Sequence, residues 1–284
     1  TAYFVRETRK STWFTQVPVV LNRSSGTPAF GSDCSFNISR AGDYLLYTFL
    51  RLHVSAVSVA TATLNNGQSL VWTPNFMHNL IRECSITFND LVAARFDNFH
   101  LDFWAAFTVP ASKENGYNNM IGNFPAFTGT NVGSGAVGAL AGAAANNRTG
   151  HILNLPLPFF FSRDSGVALP TAALPYNEMR VNFQFRDWTE LLSLFTVEGA
   201  GSNSAGRGAT ATDVTTPPTI SNCQLWANYA IVSNDERKRM ACAPRDILIE
   251  QAQTASVQTV TSLNLSSFDI RFSHAVKVLF NGCQ

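Results

Sequence analysis

The chain has 284 residues, of which 45% are hydrophobic and 14% are charged, and its formal net charge is +1. The charged fraction lies well below the roughly one quarter that is typical of soluble domains, so we expect partners to cover much of the surface. Lys and Arg are scattered along a nearly neutral chain, which does not favour nucleic-acid binding; no specific nucleic-acid binding is predicted.

The first 92 residues read as short β-strands joined by turns. Asn65-Asn66-Gly67 carries the Asn-Gly signal of a β-hairpin. The segment Tyr44–Val59 is β-rich, and we expect its core members to be Tyr44, Tyr47, Phe49, Leu52 and Val54. Other strand candidates in this part are residues 13–20, Leu70–Trp72 and Ile81–Phe88.

Residues 97–107 break the β pattern. Phe99, Phe103 and Phe107 recur every four residues, which predicts a short amphipathic helix between strands. Asp97 is a suitable N-cap for this helix. Residues 112–122 predict a second helical turn.

Two segments, 129–150 and 199–216, are rich in small and polar residues and predict surface loops. Asn147 lies in the first loop within one of four N-x-S/T sequons, and it is the best glycosylation candidate of the four.

Residues 152–188 form the stretch around which the rest is organised. Leu155–Phe161 is nearly all apolar and predicts a buried strand, which Pro156 and Pro158 restrict to a sheet edge or a strand entry. Met179–Phe185 alternates between apolar and polar residues, which predicts a strand with one face on a core and one face toward water or a partner.

The loop inside this stretch contains Arg163 and Asp164. They are candidate interaction residues, because an ion pair formed by them could cross an interface between subunits. An equally good interpretation is a loop held by its own side-chain hydrogen bonds.

Many short strands, turns about every ten residues and little helix predict an all-β sandwich or jelly roll. Residues 235–246 predict a charged helix stopped by Pro244, and strand signals resume at Ile247. We therefore expect a first jelly roll at 1–234, a connector at 235–246, and the start of a second, truncated jelly roll at 247–284.

No catalytic or metal-binding motif is present in the sequence. The five histidines are dispersed, without an H-x-H or H-E-x-x-H spacing. The five cysteines are sparse and favour a reducing compartment over a disulfide framework. The chain is thus predicted to be no enzyme, with no catalytic residues, no cofactor and no metal site.

Several motifs resemble the major capsid proteins of iridoviruses, a family of large icosahedral DNA viruses. They run in the family's order over nearly the whole chain, and the most specific is PLPFFFSRDSGVALPTAALPYNE at 156–178. Other matching motifs are WFTQVP, SRAGDYLL, GYNNMIGN, NDERKRM and FDIRFSHAVK. The loops 129–150 and 199–216 depart from the family pattern.

The resemblance implies a double jelly roll of two eight-stranded sandwiches. It implies homotrimers that form pseudo-hexameric capsomers, which tile an icosahedral shell around a double-stranded DNA genome. It also implies a place in the virion capsid after assembly in the host cytoplasm. Implied partners are neighbouring capsomers, minor capsid proteins and, indirectly, an internal membrane.

Two alternatives stay open at this point. A carbohydrate-binding jelly-roll module is consistent with the aromatic content and the all-β class, although no compact cluster of carboxylates or histidines supports it. A minor or scaffolding relative from the same kind of virus is the other alternative, and the specificity of the central motif argues against it.

Overall fold

The computed structural model describes residues 11–58, 68–128, 150–174, 176–196, 205–244, 246–255 and 269–282. The strands in these ranges are β1 Phe14–Leu21, β2 Arg23–Ser25, β3 Asp33–Asn37, β4 Tyr44–Val54, β5 Gln68–Trp72, β6 Ile81–Phe88, β7 Leu91–Phe96, β8 His151–Pro156, β9 Met179–Phe185, β10 Leu192–Thr196, β11 Ala205–Gly208 and β12 Ile220–Val232. The helices are α1 Phe76–Leu80, α2 Asn98–Thr108, α3 Glu114–Ile121, α4 Pro125–Thr128, α5 Trp188–Leu191 and α6 Asn234–Cys242.

The strands form two main antiparallel sheets. The four-stranded sheet has the order β1-β12-β4-β8, and the five-stranded sheet has the order β2-β3-β9-β6-β7. Strands that are distant in sequence are neighbours in both sheets, as the Greek-key connections of an eight-stranded jelly roll require. β2 is a short addition at the edge of the second sheet, and β5, β10 and β11 form a small third sheet.

Alternating apolar residues create the core between the two main sheets. In β9, Met179, Val181, Phe183 and Phe185 are buried, which confirms the alternation predicted for this strand. The ring of Phe183 meets Phe36 of β3 edge to face at a centroid distance of 5.9 Å. Such edge-to-face contacts are favourable beyond the apolar area that they bury.

Strand β4 differs in one respect from the prediction. Leu52 and Val54 are buried as expected. Tyr47 is 46% exposed, Tyr44 and Phe49 are only partly buried, and Leu45 and Leu50 lie in the core instead. The register with β12 shifts between Asn228 and Tyr229, where an extra residue of β4 is accommodated. A bulge of this kind changes which side chains face inward, and the sequence pattern of β4 does not show it.

The helices α1 to α5 lie in three long connections between strands. These connections join β4 to β6, β7 to β8 and β9 to β12, and they meet through the pairing of β5 with β10 and the packing of α1 on α2. The predicted helix between strands is confirmed as α2, with the Asp97 carboxylate accepting a hydrogen bond of 2.9 Å from the backbone N–H of His100. The second helical turn is confirmed as α3. Within the described ranges, none of the helices has the length and apolar character needed to span a bilayer.

The strand predicted at Leu155–Phe161 is only partly correct. β8 ends at Pro156, and a 3-10 turn follows at Phe160–Ser162. Pro156 and Pro158 lack the N–H donors that a longer ladder needs. The apolar character still predicts burial, since Phe159 and Phe161 lie in the core.

The loop predicted at 199–216 also needs correction in its described part. Ala205–Gly208 forms β11 beside β10, and Asp213 is buried. Arg207 donates two hydrogen bonds of 2.6 Å to the Asp213 carboxylate. These bonds, opposed by burial, hold the pKa of Asp213 well below its usual range. The Asn-Gly hairpin at 65–67 and residues 129–149 of the other loop lie outside the described residues.

Helix α6 confirms the helix predicted for the connector and ends two residues before Pro244. The strands predicted from Ile247 onward are not formed in 246–255 and 269–282, whose described backbone is irregular. An apolar alternating run gives a segment the capacity to be a strand, but a strand also needs a partner for its backbone groups. The boundaries 1–234, 235–246 and 247–284 therefore stay a prediction.

Candidate functional site

The predicted interaction residues Arg163 and Asp164 have different surroundings. The guanidinium of Arg163 lies 4.5 Å from the centroid of the Trp104 ring and forms a salt bridge with Glu250. Asp164 is exposed, and its backbone carbonyl accepts a hydrogen bond of 3.2 Å from Val167. Arg163 thus connects its loop to α2 and to the segment after α6, whereas Asp164 shapes its own loop.

The segment after α6 lies against α2 and β7. Phe280 stacks on Phe103 at a centroid distance of 5.6 Å and contacts Phe107 at 5.3 Å. The amide of Gln251 donates a hydrogen bond of 2.8 Å to the carbonyl of Ala93 in β7. The predicted apolar side of α2 is therefore partly covered by this segment, a contact that the sequence pattern did not indicate.

A buried carboxylate fixes the start of α6. Asp43 accepts hydrogen bonds from Arg237 Nε at 2.6 Å and Nη2 at 3.0 Å, and from the backbone N–H of Val232 at 2.9 Å. Burial alone would raise the pKa of Asp43, but the bonds from Arg237 and Val232 outweigh it, and this pKa lies below its usual value. α6 is thus joined rigidly to the jelly roll.

A buried histidine joins the helices of the long connections. His78 is 1% exposed; its Nδ1 lies 2.6 Å from Asp102 Oδ1 and its Nε2 lies 2.7 Å from the Tyr117 hydroxyl. Burial, with a smaller effect of Asp102, raises the pKa of Tyr117, so the phenol stays protonated at neutral pH. The three residues come from α1, α2 and α3, so the network acts as a structural cross-link.

The other titratable groups of the described residues include one buried and one partly buried cysteine and no cluster suited to a metal ion. The described ranges contain no group of three or more His, Cys, Asp or Glu residues that could hold a metal ion. Burial raises the pKa of both the Cys34 and Cys223 thiols to about 12. Thiols with such a pKa are protonated and unreactive at neutral pH. Asn147 lies outside the described residues.

These features define the class of protein. The topology is a jelly roll, which is shared by viral capsid proteins, lectins and cupins. The polar clusters around Asp43, His78 and Asp213 bind structural elements together, and each is satisfied within the chain. The class of protein is therefore a jelly-roll protein in which these clusters stabilise the fold.

Comparison with known proteins identifies the family. A family model described as the N-terminus of the major capsid protein matches residues 2–232. The chain belongs to the major capsid protein family of iridoviruses. It is 59% identical to the major capsid protein of Simulium iridescent virus over 99% of this chain and 58% of that protein. It is 46% identical to that of Lymphocystis disease virus 1 over 99% of this chain and 59% of the relative.

The chain thus spans less than two thirds of the length of these relatives. They are capsid proteins, whose role is structural and not enzymatic.

Solved capsid structures show the same fold. The capsid protein of the PBCV-1 virus capsid has a TM-score of 0.59 and 21% identity, over 88% of this chain and 50% of that one. The Faustovirus major capsid protein has a TM-score of 0.59 and 12% identity, over 84% of this chain and 58% of that one. The likeness confirms the predicted all-β, double jelly-roll class, of which the described residues form one jelly roll.

Proposed function

We propose that this chain is a structural subunit of an icosahedral capsid around a double-stranded DNA genome. Three copies form a pseudo-hexameric capsomer, and capsomers tile the shell. The observation that supports this most directly is the jelly roll of β1 to β12, whose family model covers residues 2–232. The subunit resides in the virion, and assembly takes place in the host cytoplasm.

In this proposal the subunit works through the rigidity of its fold and through repeated contacts with its neighbours. Two antiparallel sheets around one core form a rigid wall, and the long connections place their helices together beside it. A standard protein interface buries about 1,600 Å² in total. Repetition of such an interface around a trimer and between trimers makes individually weak contacts collectively strong.

The proposed partners are other copies, neighbouring capsomers, minor capsid proteins and, indirectly, an internal membrane. The proposal includes no specific nucleic-acid binding, in agreement with a formal net charge of only +1. Arg163 and Asp164 stay a proposed contact with neighbouring copies. Asp164 is the more accessible of the two, because Arg163 is already engaged with Trp104 and Glu250.

Light scattering after size-exclusion chromatography tests this function on the complete gene product. A particle mass of three copies is expected, with hexagonal outlines in electron micrographs. A stable monomer at high concentration contradicts the proposal. Binding of that monomer on a glycan array would then support the carbohydrate-binding alternative.

A further inference from the structure

The outward side of the four-stranded sheet carries aromatic residues in a row. The register places Val20, Trp226, Phe49 and Pro156 side by side across the four strands. The rings of Phe49 and Trp226 are stacked, with a centroid distance of 6.1 Å and an interplanar angle of 7°. We use the name aromatic face for these residues on the outward side of the sheet: Phe14, Gln16, Pro18, Val20, Tyr47, Phe49, Arg51, His53, Ile152, Asn154, Pro156, Gln224, Trp226 and Asn228. Tyr44, Ser221, Ala230 and Val232 lie on the same side, and Ala230 and Val232 are buried.

This face exposes more apolar surface than a water-facing sheet does. Phe14 is 60% exposed, Ile152 54%, Tyr47 46% and Val20 40%. An antiparallel sheet with one side on a core normally presents polar residues on its other side. Contiguous exposed apolar surface marks a site of interaction, so the aromatic face has the character of a layer that another layer covers.

Several polar groups of the aromatic face are paired with one another. Asn228 donates a hydrogen bond of 3.1 Å to Gln16, and the indole N–H of Trp226 donates one of 3.1 Å to Gln224. A satisfied polar group is buried at little cost. Among the described residues of this face, Arg51 is the only permanently charged side chain. Burial of the face therefore keeps the hydrogen bonds of Gln16, Gln224, Trp226 and Asn228.

The edge of this sheet favours contact through side chains over the addition of a strand. β1 is an edge strand that pairs with β12. Pro18 lies in the middle of β1 and lacks the N–H that a further ladder would require. Proline is one of the devices that keep edge strands from pairing with another chain.

We propose that a second copy of this chain covers the aromatic face in the capsomer. This inference rests on the proposed capsid function. Four strands of about eight residues outline roughly 500 Å², which is a large part of the about 800 Å² that each partner contributes to a standard interface. Tyr, Trp, Phe and Arg are the residues enriched at the centre of such interfaces.

Within the described part of the chain, Phe14, Tyr47 and Ile152 of this face stay exposed, whereas Asn228 is buried. The described contacts of the segment after α6 lie elsewhere, with Phe280 on α2 and Gln251 on β7. In a ring of three copies each contact joins two different surfaces, so every copy contributes one aromatic face. A single substitution on the face consequently affects all three contacts of the trimer.

The test uses Tyr47→Arg in the complete protein, with Gln184→Arg as its matched control. Both positions point outward from a strand and are exposed, but Gln184 lies near the end of β9 on the five-stranded sheet. We expect Tyr47→Arg to raise the concentration at which half of the protein is trimeric by about 100-fold, because a charge would be buried without a partner. Gln184→Arg should leave that concentration unchanged.

Val20→Lys provides a second variant on edge strand β1, where a long side chain disturbs folding least. Trimers of wild-type strength in both variants would overturn the proposal and leave the capsid function standing. A monomeric wild type would overturn both. Unchanged trimers with a lower melting temperature in both variants would show that the same chain covers the face, which also overturns the proposal.

Discussion

The outward sides of the two main sheets differ, although both sheets bury the same kinds of side chain inward. On the five-stranded sheet, Ser35 donates a hydrogen bond of 2.7 Å to Asn182, and Asn182 donates one of 3.4 Å to Thr87. Arg180 pairs there with Glu178 at 2.7 Å. On the four-stranded sheet, the corresponding side is the aromatic face with the stacked rings of Phe49 and Trp226.

This difference indicates which side of the sandwich meets water. Polar side chains that form hydrogen bonds across strands are stable in contact with solvent, although Leu91 and Val92 of the edge strand β7 are also exposed. When a partner covers the exposed aromatic rings of the four-stranded sheet, the removal of apolar surface from water stabilises the complex. The outward side of the four-stranded sheet is therefore the better candidate for a contact with another subunit.

The largest effect on the free energy of unfolding is expected for substitutions inside the sandwich, where both sheets bury apolar side chains. Phe183→Ala on the five-stranded sheet should lower the free energy of unfolding by about 3–5 kcal/mol, and Leu50→Ala on the four-stranded sheet by about 2–5 kcal/mol, because each removes a fully buried side chain. Denaturant titration measures both. The neighbouring Gln184→Ala, which is exposed, should stay within about 0.5 kcal/mol. A much smaller cost for either core variant would break the view that both sheets share one core.

A smaller effect is expected at the end of the four-stranded sheet, where Arg237 holds Asp43. Arg237→Ala should lower the free energy of unfolding by about 2–3 kcal/mol, since it leaves a buried carboxylate without its cation while Arg237 itself is partly exposed. Thermal melting at neutral pH measures this loss. Assembly should persist, because the aromatic face is unchanged.

The effect of Arg237→Ala depends on pH with a defined sign. The folded-state pKa of Asp43 lies below its unfolded value of about 3.9. The ion pair therefore contributes its full stability above that value, and the contribution is lost as the pH falls toward the folded-state pKa. The difference in the free energy of unfolding between the wild type and Arg237→Ala should become smaller below about pH 4. A difference that grows on acidification would contradict the assignment.

The smallest effect is expected on the polar side of the five-stranded sheet. Asn182→Ala removes two hydrogen bonds between strands that are only partly buried, and it should cost about 1 kcal/mol of unfolding free energy. The particle mass should not change, and light scattering checks this. Loss of trimers in Asn182→Ala would show that the polar side also makes subunit contacts, which would remove the contrast between the two faces.

Local patterns predicted the elements that depend on local chemistry. The Phe spacing and the Asp97 cap predicted α2, and the strict alternation of Met179–Phe185 predicted β9 with its buried face. Proline ended β8 at Pro156, so that most of Leu155–Phe161 is not a strand. The burial of the apolar residues in this segment was predicted correctly. These features follow from periodicity and from backbone donors, both of which are visible in the sequence.

The contacts that build the candidate site were not predictable in the same way. Arg163 was singled out, but not its partners Trp104 and Glu250, which lie 59 and 87 positions away. Asp43 and Arg237 stand in the quoted motifs SRAGDYLL and NDERKRM, yet nothing in either motif shows that they meet. Such pairs depend on the topology that brings distant strands and helices together.

The sequence by itself determined that this protein is all-β, that it belongs to a family of capsid proteins and that it carries few charges. Only the tertiary structure decided that Leu45 lies on the core side together with Leu50 and Leu52, because the register between β4 and β12 shifts between Asn228 and Tyr229. A shift of one residue exchanges the two faces of a strand. Burial in a sheet therefore depends on a pairing partner that lies far away in the chain, and periodicity within one strand cannot specify it.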